Sequence, residues 1–511
     1  MTLQSLAELS RRHGEEIGDS AALYADGHCL TYGELDLRSN QIARALNAVS
    51  AGAGRRVAFL GKNCALYFVL LAACAKVGAV MVPLNWRLAY PELAGIVVDA
   101  EAAVVLVDDE FEDLATRLAA DPRVSGLVRT IDTRMSGSDP WYGSLPVSDP
   151  GGNPVPSDIA LQLYTSGTTG GPKGVMSTHG AVLDSLRILA GVAGIRRDSV
   201  SLCTLPTFHI GGTSWTLTGL WAGCPTVLLR ESKLQGILDA IASHAVTNMI
   251  AVPAVIRSLL EIMEPDDERP RTLQRLYYGG GPMTGPVLEQ ALAAFSCEMV
   301  QGFGMTELPL IMALPPECHV PGSPLLGSCG RLVPDTEARI VDPVSRADRA
   351  TGEVGELWVR ASRAMSGYWK QESETASAFL PEGWLRTGDA MHVDSDGYYF
   401  LDDRIKDVII SGGENIYSAE VENVLMAHPS VRECTVIGVP SPRWSETVKA
   451  IIVLRPSCPA DEDGIISFCR GRLATYKCPT SVDFVAQLPR TPSGKVQKNV
   501  LREPYWAASL P

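Results

Sequence analysis

Apolar runs of strand length alternate with longer mixed stretches in the first part of the chain. RVAFLG (56–61) reads as a buried strand, NCALYFVLLAACAKVGA as a helix opened by Asn63, and VMVPLN as the next strand. PELAGIVVDA then reads as a helix and AAVVLVDD as a strand. A helix between successive buried strands implies a parallel sheet with helices on its faces. A second series follows a glycine-rich segment at Ser166. It runs helix AVLDSLRILAGVA, strand SVSLCTLP, helix GILDAIASHA, strand TNMIAVP, helix AVIRSLLEIM and strand RLYYGGG. Two α/β halves are therefore predicted.

From about Gly327 the pattern shortens to EARIVD and GELWVRA between Gly, Pro and Asp turns, which predicts a β-rich subdomain. DGYYFLDDRIKDVIISGG reads as two strands joined around Asp403 and Arg404. The last stretch returns to mixed order: helix SAEVENVLMAH, strands VRECTVIGVP and VKAIIVLR, helix EDGIISFCRGRLA and strand SVDFVA. That order suits a compact α+β unit of about 100 residues with its own core. The expected fold is α/β: a large N-terminal domain, 1–403, of two parallel-sheet α/β halves plus the β-rich subdomain, and a small mobile α+β domain, 404–511. The longest apolar stretch, 65–75, is about half of the roughly 20 residues that span a bilayer. It predicts a buried helix, and no transmembrane segment is expected.

The 511 residues are 46% hydrophobic and 20% charged, which excludes a small binding module and a mainly disordered, collagen-like or coiled-coil chain. The net charge of −14 argues against general attraction to nucleic acid or anionic membrane. From Arg404 onward 13 Lys+Arg face 11 Asp+Glu, leaving 31 against 47 in the preceding body. An anionic ligand must therefore be held locally. The 12 cysteines are scattered without a CxxC pair or a His cluster at ligand spacing. With acidic and polar residues where a signal peptide needs an apolar run, a cytoplasmic location is expected.

The sharpest local feature is YTSGTTGGPKG (164–174). Gly167, Gly170 and Gly171 let backbone amides turn inward, Thr165, Ser166, Thr168 and Thr169 add hydroxyls, and Lys173 supplies a mobile charge. The combination suits a polyphosphate. It is not a Walker A loop, because Pro172 precedes the lysine and Gly174 follows it. With YYGGGPM (277–283), QGFGMTE (301–307), GWLRTGD (383–389), DRIKD (403–407), SGGENIYSAE (411–420) and PRTPSGKVQK (489–498) in this order, the chain resembles the acyl- and aryl-CoA synthetases. Nonribosomal-peptide adenylation domains and beetle luciferases are more distant relatives. The likeness covers essentially the whole chain.

The resemblance implies activation of a carboxylate by ATP as an acyl-adenylate, then transfer to a thiol, with ATP, Mg²⁺ and coenzyme A as small-molecule partners. It leaves room for a homodimer. Gly279, Gly280, Gly281 and Pro282 would form one wall of the adenine pocket, and Gln301, Gly302 and Phe303 the other, with Phe303 stacked on the base. Thr306 has a hydroxyl for the α-phosphate and Glu307 a hard oxygen for Mg²⁺. By itself a Thr-Glu pair suits a helix cap. Asp389 would accept both ribose hydroxyls, with Arg404 beside it.

Attack on the α-phosphate needs positioning and fixed positive charge. Lys495 matches the family's adenylation lysine, whereas Lys498 reads as a solvated surface lysine. Lys406 matches the hinge about which the small domain rotates. Rotation would bring Ser411, Gly412, Gly413 and Glu414 in place of the Lys495 loop, to line a tunnel for pantetheine. Read without the resemblance, SGGEN is a loop before a helix capped by Ser418. His209 resembles the gate beside the carboxylate. Amino-acid-activating relatives usually carry Asp after the phenylalanine, where Phe208 is followed by His209, so a plain carboxylic acid is expected. Phe208, Gly211, Gly212, Trp215, Tyr278, Gly279 and Leu308 would line the acyl cavity. That set fits a ring or a chain. Transfer to a carrier-protein thiol or an amine is the alternative second step.

Overall fold

The computed structural model describes residues 3–135, 139–165, 172–264, 267–281, 283, 285–411, 414–441, 443–491 and 496–507. Within them the strands form four sheets. A seven-stranded sheet is built on parallel pairing of Arg56–Leu60 with Val80–Leu84 and with Ala102–Asp108, as the alternating pattern requires. Its other side continues through Ile159–Thr165 and ends in an antiparallel hairpin with Lys173–Thr178. A nine-stranded sheet is parallel through Ser201–Cys203, Asn248–Ala251, Arg275–Gly279 and Glu298–Met305.

The halves are less separate than the sequence suggests. The N-terminal hairpin of Ala21–Ala25 and His28–Thr31 joins the nine-stranded sheet, and Gly367–Tyr368 joins the seven-stranded one. One hydrophobic core contains residues of both sheets and of the helices between them. Helix Ala65–Val77 lies in that middle layer with every residue but Val77 buried. It is apolar all round because it is covered all round. Among the described residues no helix is long and apolar enough to cross a membrane.

Asn63 does not cap this helix. Cys64 occupies the cap position without a side-chain bond. The Asn63 amide instead donates to the carbonyls of Leu205 and Leu229, and its oxygen accepts the Thr207 N–H at 2.9 Å. It thereby ties the end of one sheet to the loops of the other. Lys76 is fully buried and satisfied by Asp36, Ser39 and Asn40 on the neighbouring helix Tyr32–Ala48.

Outer helices complete the layers. Tyr90–Asp99 and Glu112–Ala120 cover the far face of the seven-stranded sheet. Leu234–His244, Pro253–Ile262 and Gly285–Phe295 cover that of the nine-stranded sheet. The β-rich part is a four-stranded antiparallel sheet, and the C-terminal part packs helices Ser418–Met426 and Glu462–Arg470 on a five-stranded sheet with its own core. The strands foreseen around Asp403 and Arg404 fall in different sheets: Tyr399–Arg404 in the four-stranded one, Ile409–Ser411 in the C-terminal one. All 12 cysteines carry free thiols.

His179 opens helix His179–Ala193 and is fully buried, its Nδ1 accepting the Leu6 N–H at 3.3 Å. Burial lowers its pKa to about 4 from 6.5. Between those values the unfolded chain binds the extra proton, so stability falls as pH drops through the window, by about 3 kcal/mol in total. The advantage of the wild type over His179→Asn is expected to shrink between pH 6.5 and 4.5 in chemical unfolding. A pH-independent gap would contradict the assignment.

Candidate active site

Most of the candidate residues follow the carboxyl ends of parallel strands, where an open α/β sheet leaves a crevice. Thr165 ends one strand of the hairpin and Lys173 begins the other, as register partners. Ser166, Gly167, Thr168 and Thr169 between them lie outside the described residues, as do Pro282, Gly412, Gly413 and Lys495. Lys173 Nζ meets the Glu374 carboxylate at 2.5 Å and stands 5.0 Å from the centroid of the Tyr368 ring.

Thr306 and Glu307 do not cap a helix. They form the turn of a hairpin in which Met305 opposes Leu308. The Tyr368 hydroxyl donates to Glu307 Oε1 at 2.8 Å, and the Met365 N–H donates to the Glu307 carbonyl at 2.8 Å. Burial and then the Glu307 charge push the Tyr368 phenol upward, so it stays a donor. Tyr368 and Gly367 in turn pair with Val175 and Met176 just beyond Lys173. Trp369 follows: its N–H reaches the Gly174 carbonyl and its indole the Asp99 carbonyl, with the Arg56 guanidinium 3.4 Å from its centroid. This strap was not among the sequence candidates. Its one signal is GYW, an aromatic pair after glycine in a polar stretch.

Gly279 and Gly302 are register partners on adjacent strands. A Cβ on Gly279 would stand 2.3 Å from the Gly302 carbonyl oxygen, and one on Gly302 would overlap the Tyr277 hydroxyl at 1.5 Å. Gly280 takes a positive φ of 78°, and Gly281 is open above it. Gln301 and Phe303 are half-buried on the same strand as Gly302. Asp389 and Arg404 are also register partners, in the four-stranded sheet. Arg404 Nε lies 2.8 Å from Asp389 Oδ1, and the carboxylate is almost fully buried.

Around the expected acyl cavity the structure regroups the candidates. Phe208 is buried, and His209 lies 4.5 Å from it, centroid to centroid, just before helix Ile210–Ala222. Trp215 is fully buried, its indole N–H without a partner among the described residues, 5.5 Å from the Tyr277 ring. Tyr278 is turned to the opposite face of the sheet, as the period of two along a strand demands. Its hydroxyl bonds His319 Nε2 at 3.1 Å; because His319 Nδ1 faces the Pro315 carbonyl, Nδ1 carries the proton and Nε2 accepts. Leu308 packs with Val175 and Met365 in the core of the β-rich part. Tyr277 and Leu310, not Tyr278 and Leu308, share the core of Trp215.

Gly211 and Gly212 both make close contacts at the start of helix Ile210–Ala222. A Cβ on Gly212 would lie 2.3 Å from the Pro206 carbonyl oxygen, and one on Gly211 2.9 Å from Leu205 Cδ1.

In the C-terminal part Lys406 is exposed, and its carbonyl accepts from Arg502, which also pairs with Asp407 at 2.9 Å. Ser411 and Glu414 are partners in a tight hairpin. Ser418 is not a cap: Tyr417 holds that position, and the Ser418 N–H donates to Asp403 at 2.6 Å. Lys498 is not a free surface lysine either, since it pairs with Glu422 at 2.9 Å. Arg490 and Val496, which flank Lys495 in sequence, form a β-bridge. Glu433 joins Arg490, at 2.6 Å, to Arg257 of helix Pro253–Ile262, at 3.1 Å.

Gly212→Ala is expected to cost about 2 kcal/mol, because backbone must move. Gly211→Ala should cost less than about 1 kcal/mol, because the end of a leucine can swing aside. Denaturant unfolding of both variants checks the order.

Comparison with known proteins fits this arrangement. The AMP-binding enzyme model matches residues 10–369 and the AMP-binding enzyme C-terminal domain model residues 420–495. The chain is 37% identical to the fatty acid–[acyl-carrier-protein] ligase ScoC of Streptomyces coeruleorubidus, over 99% of this chain and 98% of that protein. It is 35% identical to a feruloyl-CoA synthase of an Amycolatopsis species, over 99% of this chain and 100% of the relative. The crystal structure of ATP-bound MatB from Rhodopseudomonas palustris superposes with a TM-score of 0.91 at 30% identity, covering 98% of this chain and 99% of that one. Hairpins at the strand ends, the buried Asp389 with Arg404, and two family models in order lead to one conclusion: the chain belongs to the AMP-binding enzymes, the adenylate-forming ligases.

Proposed function

We propose that this ligase activates a fatty or aromatic carboxylic acid as its acyl-adenylate and transfers the acyl group to coenzyme A, releasing AMP and pyrophosphate. The observation that carries the reading is the meeting of Lys173 and Glu307 at Tyr368, from hairpins of two different sheets. A cation and a carboxylate held at adjoining turns suit a metal-bound triphosphate.

In this reading Thr165, Ser166, Gly167, Thr168, Thr169 and Lys173 cradle the β- and γ-phosphates. Gly279 to Gly281, Pro282 and Gln301 to Phe303 flank the adenine, and Asp389 with Arg404 takes the ribose. Gly281, where a Cβ would meet open space, supports a flat ligand beside it. Among the described residues no three His, Cys, Asp or Glu side chains stand together as a metal cage. Glu307, with its single carboxylate, fits Mg²⁺, which is usually held by one or two carboxylates plus substrate phosphates. When bound there, the ion neutralises phosphate charge.

The substrate carboxylate oxygen attacks the α-phosphorus, and the bond to pyrophosphate breaks. Thr306 and Lys495 stabilise the charge on the α-phosphate oxygens, and His209 borders the carboxylate. The thiol sulfur then bonds to the acyl carbon, the thiol proton is lost, and AMP leaves. For that second step residues 404–511 turn about Lys406, replacing the Lys495 loop by Ser411 to Glu414. The separate core of the C-terminal part supports such a movement as a unit.

Lys495→Ala is expected to lower acid-dependent pyrophosphate exchange about a hundredfold or more, yet to spare thioester formation from preformed acyl-adenylate. Equal loss in both half-reactions would overturn the rotation. The likeness to a ligase named for acyl-carrier protein favours one second reading, transfer to a phosphopantetheine thiol on a carrier. AMP release with a panel of fatty, benzoic and cinnamic acids is expected to depend on CoA. Release that requires holo-carrier protein or an amine instead would move the assignment to that acceptor.

A further inference from the structure

Tyr368 touches both charged groups of the proposed phosphate site, and nothing in the reaction itself requires a tyrosine there. Its backbone is fixed three ways. It pairs with Val175, follows Gly367 opposite Met176, and donates its N–H to Thr375 Oγ1 at 2.9 Å. Gly367 has a φ of 143°, and a Cβ there would stand 2.9 Å from Thr375 Cγ2, so the approach is closed to other residues. The ring is therefore held in place before any ligand arrives.

From that anchor the hydroxyl donates to Glu307 Oε1 at 2.8 Å, and the ring centroid lies 5.0 Å from Lys173 Nζ. Among the described residues Tyr368 is the hydrogen-bond partner of the Glu307 carboxylate. Glu307 lies on a two-residue turn, where a side chain without a partner would sample several rotamers. Lys173 pairs with Glu374 of helix Glu372–Ala378 and not with Glu307. Opposite charges brought this close would otherwise attract each other, and each would lose its aim at a ligand.

We propose that Tyr368 is a positioning residue that orients Glu307 through its hydroxyl and keeps Lys173 from pairing with Glu307 through its ring. The inference rests on the proposed nucleotide site. Hydroxyl and ring make separate predictions. Tyr368→Phe keeps the spacer and loses the orienting bond, so ATP binding should need about tenfold more Mg²⁺, with affinity for ATP in the absence of metal unchanged. Tyr368→Leu removes the spacer, so metal-free ATP should bind about tenfold more weakly as Lys173 turns to Glu307. Glu307→Gln added to Tyr368→Leu should restore metal-free binding, because the amide cannot hold the lysine as a carboxylate does.

Isothermal titration calorimetry of the full chain with ATP, with EDTA and across a Mg²⁺ series, reads all three. Melting temperatures without nucleotide serve as the folding control. If Tyr368→Leu does not fold, Tyr368→Phe decides the orienting role and Tyr368→Met takes the place of the leucine variant in the test of the spacer. An unchanged Mg²⁺ requirement in Tyr368→Phe overturns the orienting role. Failure of the double variant to recover overturns the spacer. A wild type that binds no ATP, with or without metal, overturns the nucleotide site itself; a wild type that binds while the variants match it overturns only the role of Tyr368.

Discussion

The open edge of the seven-stranded sheet beyond Lys173–Thr178 is closed by two residues, Gly367 and Tyr368, that arrive from the β-rich part. An unpaired edge would leave the hairpin before it free to flex, and the candidate phosphate segment lies between its two strands in sequence. The strap fixes its base with ladder bonds, and Met365 and Tyr368 fix the Thr306–Glu307 turn of the other sheet at the same time. Trp369 then locks the strap to the first sheet through Asp99 and Arg56. Two turns that are far apart in sequence thus acquire one rigid mount.

The middle helical layer joins the two sheets in one core. Helix Ala65–Val77 can be buried on every side only because both sheets and their neighbouring helices close over it, and Asn63 and Lys76 spend their polar groups on carbonyls and side chains across that layer. Close approaches at Gly212 and at the Gly279 and Gly302 pair remove the last slack around the strand ends. At those strand ends the candidate residues are glycines and a few polar side chains. Such a surface suits a phosphorylated ligand in a chain whose net charge is negative. The local charges there are already paired: Lys173 with Glu374, Arg404 with Asp389.

Much of this was legible in the sequence because it depends on short-range pattern. Apolar periodicity placed the parallel strands and the buried helix, and the glycine- and hydroxyl-rich segments carried the likeness to the family that the comparisons show. Where the local reading failed, a distant contact had claimed the residue. Asn63 looked like a cap but is held by Leu205, Thr207 and Leu229; Ser418 looked like a cap but is bound by Asp403; Lys498 looked exposed but belongs to Glu422. The resemblance puts Tyr278 and Leu308 with Trp215 in the acyl wall; the strand period puts Tyr277 and Leu310 in the core that holds Trp215.

By itself the sequence determined the layered α/β class, the order of the motifs and the chemistry they can bear, because backbone propensity, hydrophobic period and side-chain type are local properties. Only the tertiary structure decided that the N-terminal hairpin and the Gly367–Tyr368 strap cross into the opposite sheets, that one tyrosine meets both Lys173 and Glu307, and that Glu433 joins Arg257 to Arg490. Those contacts join residues up to about two hundred positions apart, so no window along the chain contains both partners; burial and edge pairing select them only once the layers have packed.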